Sequence, residues 1–292
     1  MLPDVLDRSP RNVTLGRYFP YDCHKLKYTY RIGQMLSIVI ITMNRPEKLK
    51  RCIESVRARV AAPHEVIVID NSAKNIGSSA ARNKGAAQAN PLSEYLLFLD
   101  DDAWVESLPV NSMISHMHSN PDIALMAPRI LNPDGTRQAS IRSFPTLSAL
   151  IWRATPLRSF FPNAKWYRTY IDPLGFDARE DAEKKTAGHP KKIPSIDWAI
   201  SAAILVSRKA FDSIGGFDEK YFFMHEDTDL CFRLKQRGFE CAYWDDSLAY
   251  HDYARKSRNI FSSSFRHHIR GALRILNLMC TSRRETASAN PR

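Results

Sequence analysis

Residues 36–102 read LSIVIITMNRPEKLKRCIESVRARVAAPHEVIVIDNSAKNIGSSAARNKGAAQANPLSEYLLFLDDD, and the period of that text decides the fold. Three short apolar runs, SIVIITM (37–43), EVIVID (65–70) and YLLFLD (95–100), are separated by two stretches of helical pattern. The first helical stretch, 46–60, opens on Pro46, whose missing N–H costs nothing in the first turn of a helix. The second, 77–89 (GSSAARNKGAAQA), is built from small residues and predicts a helix lying close on a sheet. Strands apolar on both faces, alternating with helices, predict a parallel sheet covered on both sides. A helix near 108–119 and a strand at 123–127 (IALMA) continue the order. Ligands of such sheets bind outside the carboxyl ends of the strands. Asn44, Asp70 and Asp100–Asp102 are therefore expected to meet in one crevice.

The second half is less regular. Residues 154–196 are rich in proline, aromatics and charge without a period, which predicts a long surface loop. WAISAAILVS (198–207) reads as a strand, and 208–214 as a short helix closed by Gly215-Gly216. EDTDLCFRLKQR (226–237) reads as an amphipathic helix ended by Gly238, and 239–244 returns as a strand. No repeat or low-complexity linker separates the halves, so one domain with two functional halves is expected.

At 292 residues, with 44% hydrophobic and 25% charged, the chain can bury a full core. Its longest apolar runs, Leu36–Met43 and Trp198–Val206, fall far short of the roughly 18 residues a membrane span needs. The first residues, MLPDVLDRSPRN, lack the apolar core of a signal peptide. Five scattered cysteines without a CxxC pair argue for a reducing compartment and against zinc, so a cytoplasmic location is expected.

The net charge of +11 sits in the tails. Residues 1–36 hold six Lys/Arg against three acids, 253–292 hold nine against Glu285 alone, and 37–252 are neutral. A nucleic-acid enzyme would carry a basic stripe on its folded core. A neutral core with a basic tail excludes nucleic acid as the expected partner and points to an anionic membrane surface. In that tail Phe261, Phe265, Ile269, Leu273, Leu276 and Met279 recur at helical spacing, with Arg266, Arg270 and Arg274 on another side. Two readings stay open: an interfacial helix on the inner face of the membrane through residues 260–280, or a helix packed on the catalytic domain.

Asp100, Asp101 and Asp102 follow directly on a strand. Three adjacent carboxylates repel one another unless a cation relieves them, and Mg²⁺ or Mn²⁺ would do so while binding a diphosphate. A solvated acidic turn is the bland alternative. Neither a Gly-rich Walker loop nor GxGxxG follows the first strand, which disfavours P-loop and dinucleotide-binding readings.

Four segments in order, SIVIITMNRPEKLKRCIESV, VIVIDNSAKNIGSSAARNKGAA, LLFLDDDAWV and GGFDEKYFFMHEDTDLCFRLKQRG, resemble the family 2 glycosyltransferases, in their rhamnosyl- and galactofuranosyltransferase-like branch. The resemblance implies a GT-A fold: α/β, a mostly parallel central sheet flanked by helices, one domain with donor and acceptor halves, and here a C-terminal amphipathic helix. It sets boundaries at an N-terminal extension (1–35), a glycosyltransferase domain (36–252, with 36–130 the nucleotide-sugar half and 131–252 the acceptor half) and a basic C-terminal segment (253–292). It implies an inverting transfer from a dTDP- or UDP-linked sugar, rhamnose or another hexose, to a hydroxyl of a lipid-linked or polysaccharide precursor. A bacterial cell-wall or polysaccharide pathway is implied with it.

Position by position, the resemblance makes Asp102 and His251 metal ligands with Asp100, the metal being Mn²⁺ or Mg²⁺. Thr42, Asn44, Asp70, Arg82, Asp100 and Asp101 match positions that hold the nucleotide sugar. Asp227 matches the general base, while Trp198 and Glu226 fall on the acceptor side, where Ser201 replaces the usual glycine. Asp229, two residues after Asp227, cannot point the same way on a helix. His225 carries no readable signal, His267-His268 read as a solvated helix face, and the aromatics of 160–170 either stack on ligand or cover the core. The absence of QxxRW and of membrane spans implies a non-processive enzyme. Two other classes compete. A sugar-nucleotide nucleotidyltransferase would want a Gly-rich, basic loop after the first strand, which TMNRPEKL does not supply. A catalytically silent sugar-binding protein would not need Asp102, Asp227 and His251 together.

Overall fold

A computed structural model describes residues 35–154, 164–175, 193–253 and 263–289. The first five elements are those the periods dictate: β1 (Met35–Thr42), α1 (Pro46–Arg59), β2 (His64–Asp70), α2 (Ser78–Gln88) and β3 (Ser93–Asp100). They are followed by β4 (Ala103–Ser107), α3 (Val110–Ser119), β5 (Ile123–Leu131), β6 (Ile141–Arg142) and α4 (Leu147–Ala154). Then come α5 (Lys165–Ile171), β7 (Ser195–Ile196), β8 (Trp198–Ala199), β9 (Ala203–Ser207), α6 (Arg208–Ser213), α7 (Glu226–Gln236), β10 (Glu240–His251) and α8 (Ser263–Ala289).

The main sheet runs β2-β1-β3-β9-β5-β10-β4, with β7 added against β10. β1 is parallel to β2 and β3, with Thr42 opposite Asp70 and Ile41 opposite Asp100, so three strand ends share one edge. β5 and β10 are also parallel to each other, whereas β9 enters antiparallel between β3 and β5, and β4 closes antiparallel on β10. The sheet is therefore mixed but mostly parallel.

Alternation of side chains separates two apolar layers. Ile38 and Ile40 of β1, with Val66, Leu97 and Leu99, face Cys52 and Val56 of α1 and Met113 of α3. Val39, Ile67, Ile69, Leu96 and Phe98 face the other layer, under α2, α6 and α7. Each buried Val, Leu or Ile contributes roughly 1.5–3 kcal/mol. The small residues of α2 do what their size suggests: a Cβ on Gly85 would lie 2.2 Å from Val39 Cγ1, so only glycine lets the helix settle this low on β1. Phe98 packs between Phe211 and Phe217, at ring-centroid separations of 5.4 and 5.3 Å.

Several expectations change. The run 198–207 is two strands: β8 leaves the main sheet to pair with β6, and a turn at 200–202 reverses the chain into β9. That turn is held against the site, since the Asp100 amide donates to the Ala202 carbonyl at 3.0 Å. The strand expected at 239–244 continues as β10 to His251, with its register shifted between Trp244 and Leu248. Within the expected surface loop, Lys165–Ile171 form α5, whose Tyr167 and Tyr170 are buried, while residues 160–163 lie outside the described ones. The N-terminal extension up to residue 34 lies outside them as well.

Within the tail, Ser263–Ala289 form one long helix, and it packs on the domain. Ile275 and Met279 of α8 join Phe232 of α7 in a small core with Phe144 and Leu278 beside it. The predicted apolar stripe is thus divided. Met279 faces the domain, Phe265, Ile269 and Leu276 are half-buried along its flank, and Leu273 is exposed; Phe261 lies outside the described residues. Arg274, expected with the free cations, instead pairs with Asp218 at 3.0 Å.

Candidate functional site

β3 ends at Asp100, a two-residue turn carries Asp101 and Asp102, and β4 starts at Ala103. Because β4 pairs with the end of β10, His251 stands opposite Ala103. Ligand atoms of Asp100, Asp102 and His251 consequently lie within 4.8 Å of one another. His251 Nε2 is 3.3 Å from Asp102 Oδ1. Its Nδ1 is 2.8 Å from Gln138 Oε1, and Gln138 Nε2 donates back to the His251 carbonyl at 3.2 Å. With the glutamine oriented by that second bond, its oxygen can only accept, so the network places a proton on Nδ1 and turns Nε2 toward Asp102.

Arg45 and Lys48 balance the acidic turn. Arg45 reaches Asp101 Oδ1 and Asp102 Oδ2, each at 2.5 Å, and Lys48 stands 3.7 Å from Asp102 Oδ2. Burial opposes ionisation of Asp102, but the His251 hydrogen bond and charge, then Arg45 and Lys48, outweigh it and hold this carboxyl below its ordinary pKa. For Asp101 burial prevails and pushes the carboxyl up, against Thr42 and Arg45. Asp101 is fully buried and accepts from the Thr42 hydroxyl at 2.7 Å and from Arg45 Nε at 3.0 Å. It acts as a strut beneath the turn, and the Thr42 hydroxyl is spent on it.

The opposite wall is the N-terminus of α7. Burial, then the charge of Glu226, pushes Asp227 up to about 7 against the pull of the Thr228 amide, Arg82 and Arg142. Thr228 N donates to Asp227 Oδ1 at 2.8 Å. Glu226 accepts from Ser78 Oγ at 2.6 Å and from Arg82 Nη1 at 3.0 Å. The other arm of Arg82, a side chain only 3% exposed, reaches Asp100 Oδ1 at 2.6 Å. Arg82 thereby spans the two walls, from the acidic turn to the helix that carries Asp227. Asp229 points elsewhere, as its spacing requires, and pairs with Arg233 at 2.6 Å.

Between these walls lies an open cleft lined by Asp100, Arg82, His251, Asp227, Trp198 and His268, among others. Trp198 is held by its Nε1–H to the Ser143 carbonyl at 2.7 Å, with the Arg142 guanidinium 5.2 Å from its ring centre. The structure thus brings Asp100, Arg82, His251, Asp227, Glu226 and Trp198 into one cleft, with Asp102 behind Asp100. Thr42, Asn44, Asp70 and Asp101 sit at the neighbouring strand ends and are not part of its lining. Asp70 is exposed, and its carboxylate accepts from the Ser72 amide at 2.9 Å.

Some site residues carried no sequence signal of their own. Arg45 and Lys48 were visible only as cations in the first turn after β1, and Gln138 not at all. His225 and His268 also need correcting. His268 lines the cleft, and its Nδ1 lies 3.1 Å from Nε2 of His225, the rings stacked at 4.9 Å and 13°. His267 stacks on Phe222 at 4.6 Å, so neither histidine belongs to a merely solvated face.

Residues 23–275 match the model of the family described as Glycosyltransferase like family 2. The N-acetylglucosaminyl-diphospho-decaprenol L-rhamnosyltransferase of Mycobacterium tuberculosis (strain ATCC 25618 / H37Rv) is 23% identical over 253 residues, covering 76% of this chain and 78% of that protein. Rhamnosyltransferase WbbL of Escherichia coli (strain K12) is 36% identical over 81 residues, 28% of this chain and 31% of its own. Among solved structures, GalNAc-T7 with UDP, GalNAc and Mn2+ superposes with a TM-score of 0.55 at 14% identity, over 85% of this chain and 48% of that one, which is a likeness of fold. The cleft at the strand ends, with its acidic turn and facing helix, sits in a GT-A fold, and the chain belongs to glycosyltransferase family 2, in its rhamnosyltransferase-like branch, as a sugar transferase that draws on a nucleotide donor.

Proposed function

We propose that this chain is an inverting, non-processive hexosyltransferase that moves rhamnose or a related hexose from a dTDP- or UDP-linked donor to a hydroxyl of a lipid-linked or polysaccharide precursor. One observation carries the reading: a carboxyl-imidazole cluster and a carboxyl group with a pKa near 7 occupy opposite walls of the same cleft. An acceptor hydroxyl attacking an anomeric carbon needs a base on the face away from the departing diphosphate. In this reading Asp227 takes that proton, and Trp198 with Glu226 orients the acceptor. Asp100 and Arg82 line the donor side, while Thr42, Asn44 and Asp70 belong to the strand ends where a nucleoside would lie.

The donor set fits a hard divalent ion. Two carboxylates and one imidazole nitrogen, with the proton fixed on the far nitrogen, suit Mn²⁺ or Mg²⁺ at Asp100, Asp102 and His251. When bound, such an ion offsets charge developing on the leaving diphosphate. Arg45 and Lys48 hold Asp102 ionised for that role.

The M. tuberculosis relative is named for an acceptor on decaprenyl diphosphate, and a lipid-linked acceptor suits this chain too. Exposed Leu273, Arg266 and Arg270 lie on the solvent side of α8, with half-buried Phe265 and Ile269 on its flank. This side is assigned to an anionic membrane surface, on the inner face of the cell membrane. The deciding experiment follows sugar transfer by mass spectrometry, with dTDP-rhamnose and UDP-hexoses as donors and prenyl-diphosphate-linked N-acetylglucosamine as acceptor. A product with the opposite anomeric configuration to its donor is expected. Binding of every donor without turnover would leave a silent sugar-binding protein, and release of sugar 1-phosphate with nucleoside triphosphate from diphosphate would make it a nucleotidyltransferase.

A further inference from the structure

The turn that leads into Glu226 and Asp227 contains two consecutive non-glycine residues in the left-handed region, Met224 at φ 70° and His225 at φ 68°. Such a conformation persists only where the surroundings over-determine it. Two elements do so here. From α2, the Ser78 amide donates to the Phe222 carbonyl at 2.8 Å, and Ser79 Oγ donates to the Tyr221 carbonyl at 2.5 Å. From the other side α8 lays His268 on His225 and His267 on Phe222. It approaches so closely that a Cβ on Gly271 would stand 3.0 Å from the Met224 carbonyl oxygen and 3.1 Å from His225 Cδ2. The helix is itself fixed there by Ile275 and Met279 against Phe232, and by Arg274, which pairs with Asp218 and lies 5.4 Å from the Tyr221 ring centre.

The geometry points to α8 as a clamp on the base-bearing turn: His268 and Gly271 are positioning residues that hold Met224 and His225 in their left-handed conformation, and through them set where Asp227 stands in the cleft. The functional half of this inference rests on Asp227 being the base. Its structural half does not. One imidazole of the His225–His268 contact donates and the other accepts, so a neutral pair satisfies the 3.1 Å separation without an ion. Gly271 has a reason to be glycine that opposes local preference, because alanine would favour the helix itself.

The test uses the full chain with Gly271→Ala, His268→Ala and His268→Phe, and reads amide hydrogen exchange together with steady-state kinetics. Gly271→Ala adds one methyl group at a helical position, so the fold is retained while the turn is pushed. Amides of residues 222–228 are expected to exchange faster in Gly271→Ala and His268→Ala, with those of β1 and β3 unchanged. Misplacement of a base predicts a kcat reduced roughly ten- to hundredfold with little change in donor KM. His268→Phe keeps a stacked ring and should recover most of the protection. Unchanged exchange at 222–228 in both alanine variants overturns the clamp. Faster exchange with unchanged kcat overturns the positioning role. If the turn loosens but the wild type transfers no sugar from any donor, the clamp stands and the assignment of Asp227 as a transferase base falls.

Discussion

As the proposed base, Asp227 suits neutral pH because the influences that raise its pKa outweigh those that lower it. Burial and the neighbouring Glu226 raise its carboxyl to about 7, while the Thr228 amide, Arg82 and Arg142 restrain the rise. A base must be ionised, so kcat/KM should climb with pH, about tenfold per unit, and level off above about 7. The same shift is a stability statement with the opposite sign. Since the folded-state value lies above the ordinary 3.8, the folded protein gains stability from the protonated form at acid pH and loses that gain as pH rises through about 7. Asp227→Asn keeps shape but takes no proton; transfer should drop by roughly two orders of magnitude or more, and the acid limb of the pH profile should vanish. On the opposite wall, Asp102→Ala should abolish the Mn²⁺-dependent rise in Tm produced by a nucleoside diphosphate. Gln138→Leu leaves all three ligands in place but frees the His251 ring, and should weaken Mn²⁺ affinity roughly 10–100-fold by titration calorimetry. Equal affinity in that variant would show that His251 needs no such orientation.

Elements were legible in proportion to how local their cause was. The alternation from β1 to β3 could be read because each strand and helix states its own period within ten or so residues. Gly85 shows how far that goes: the small-residue face of α2 predicted close approach, and the structure supplies the reason in Val39 Cγ1 at 2.2 Å from a would-be Cβ. Gly85→Ala should gain about 1 kcal/mol in helix propensity but lose about 1–3 kcal/mol to overpacking against a β-branched side chain fixed in the sheet. Urea unfolding is therefore expected to show net destabilisation; a more stable variant would mean that α2 floats above the sheet. Pairing was harder to foresee. Nothing local in AILVS says that β9 runs antiparallel between β3 and β5, or that Trp198 departs to join β6, because those choices depend on partners far along the chain. The acidic triplet falls beside the cleft, yet its three members diverge: Asp100 lines the cleft, Asp102 faces His251, and Asp101 is a buried strut. That division is set by Thr42 and Arg45, more than fifty residues earlier, and no reading of three adjacent aspartates could separate them.

At the scale of the whole molecule, charge and shape have to be considered together. The core is neutral and the excess of +8 lies after residue 252. Among the described residues no helix is long and apolar enough to cross a membrane. The inward side of α8 is already spent on the domain, through Ile275 and Met279, and Arg274 is spent on Asp218. What remains outward is Leu273, 62% exposed, with Ile269 and Phe265 beside it and Arg266 and Arg270 exposed. Each cation near an anionic surface contributes about 1 kcal/mol, so two contribute roughly 2 kcal/mol, to which burial of Leu273 and its neighbours adds. Such binding should weaken as salt shortens the reach of the charges. Co-sedimentation with phosphatidylserine-containing vesicles should carry the wild type into the pellet at low salt, and Arg266→Glu with Arg270→Glu should leave most of it in the supernatant. The geometry gives this contact a use. A helix is about 10 Å across, so His268 on the cleft side of α8 lies within about that distance of the lipid-facing side. An acceptor held by a prenyl anchor would then present its sugar at the mouth of the cleft without leaving the bilayer. If the wild type ignores anionic vesicles at low salt, the outward side of α8 is only a solvated flank and the enzyme takes its acceptor from solution.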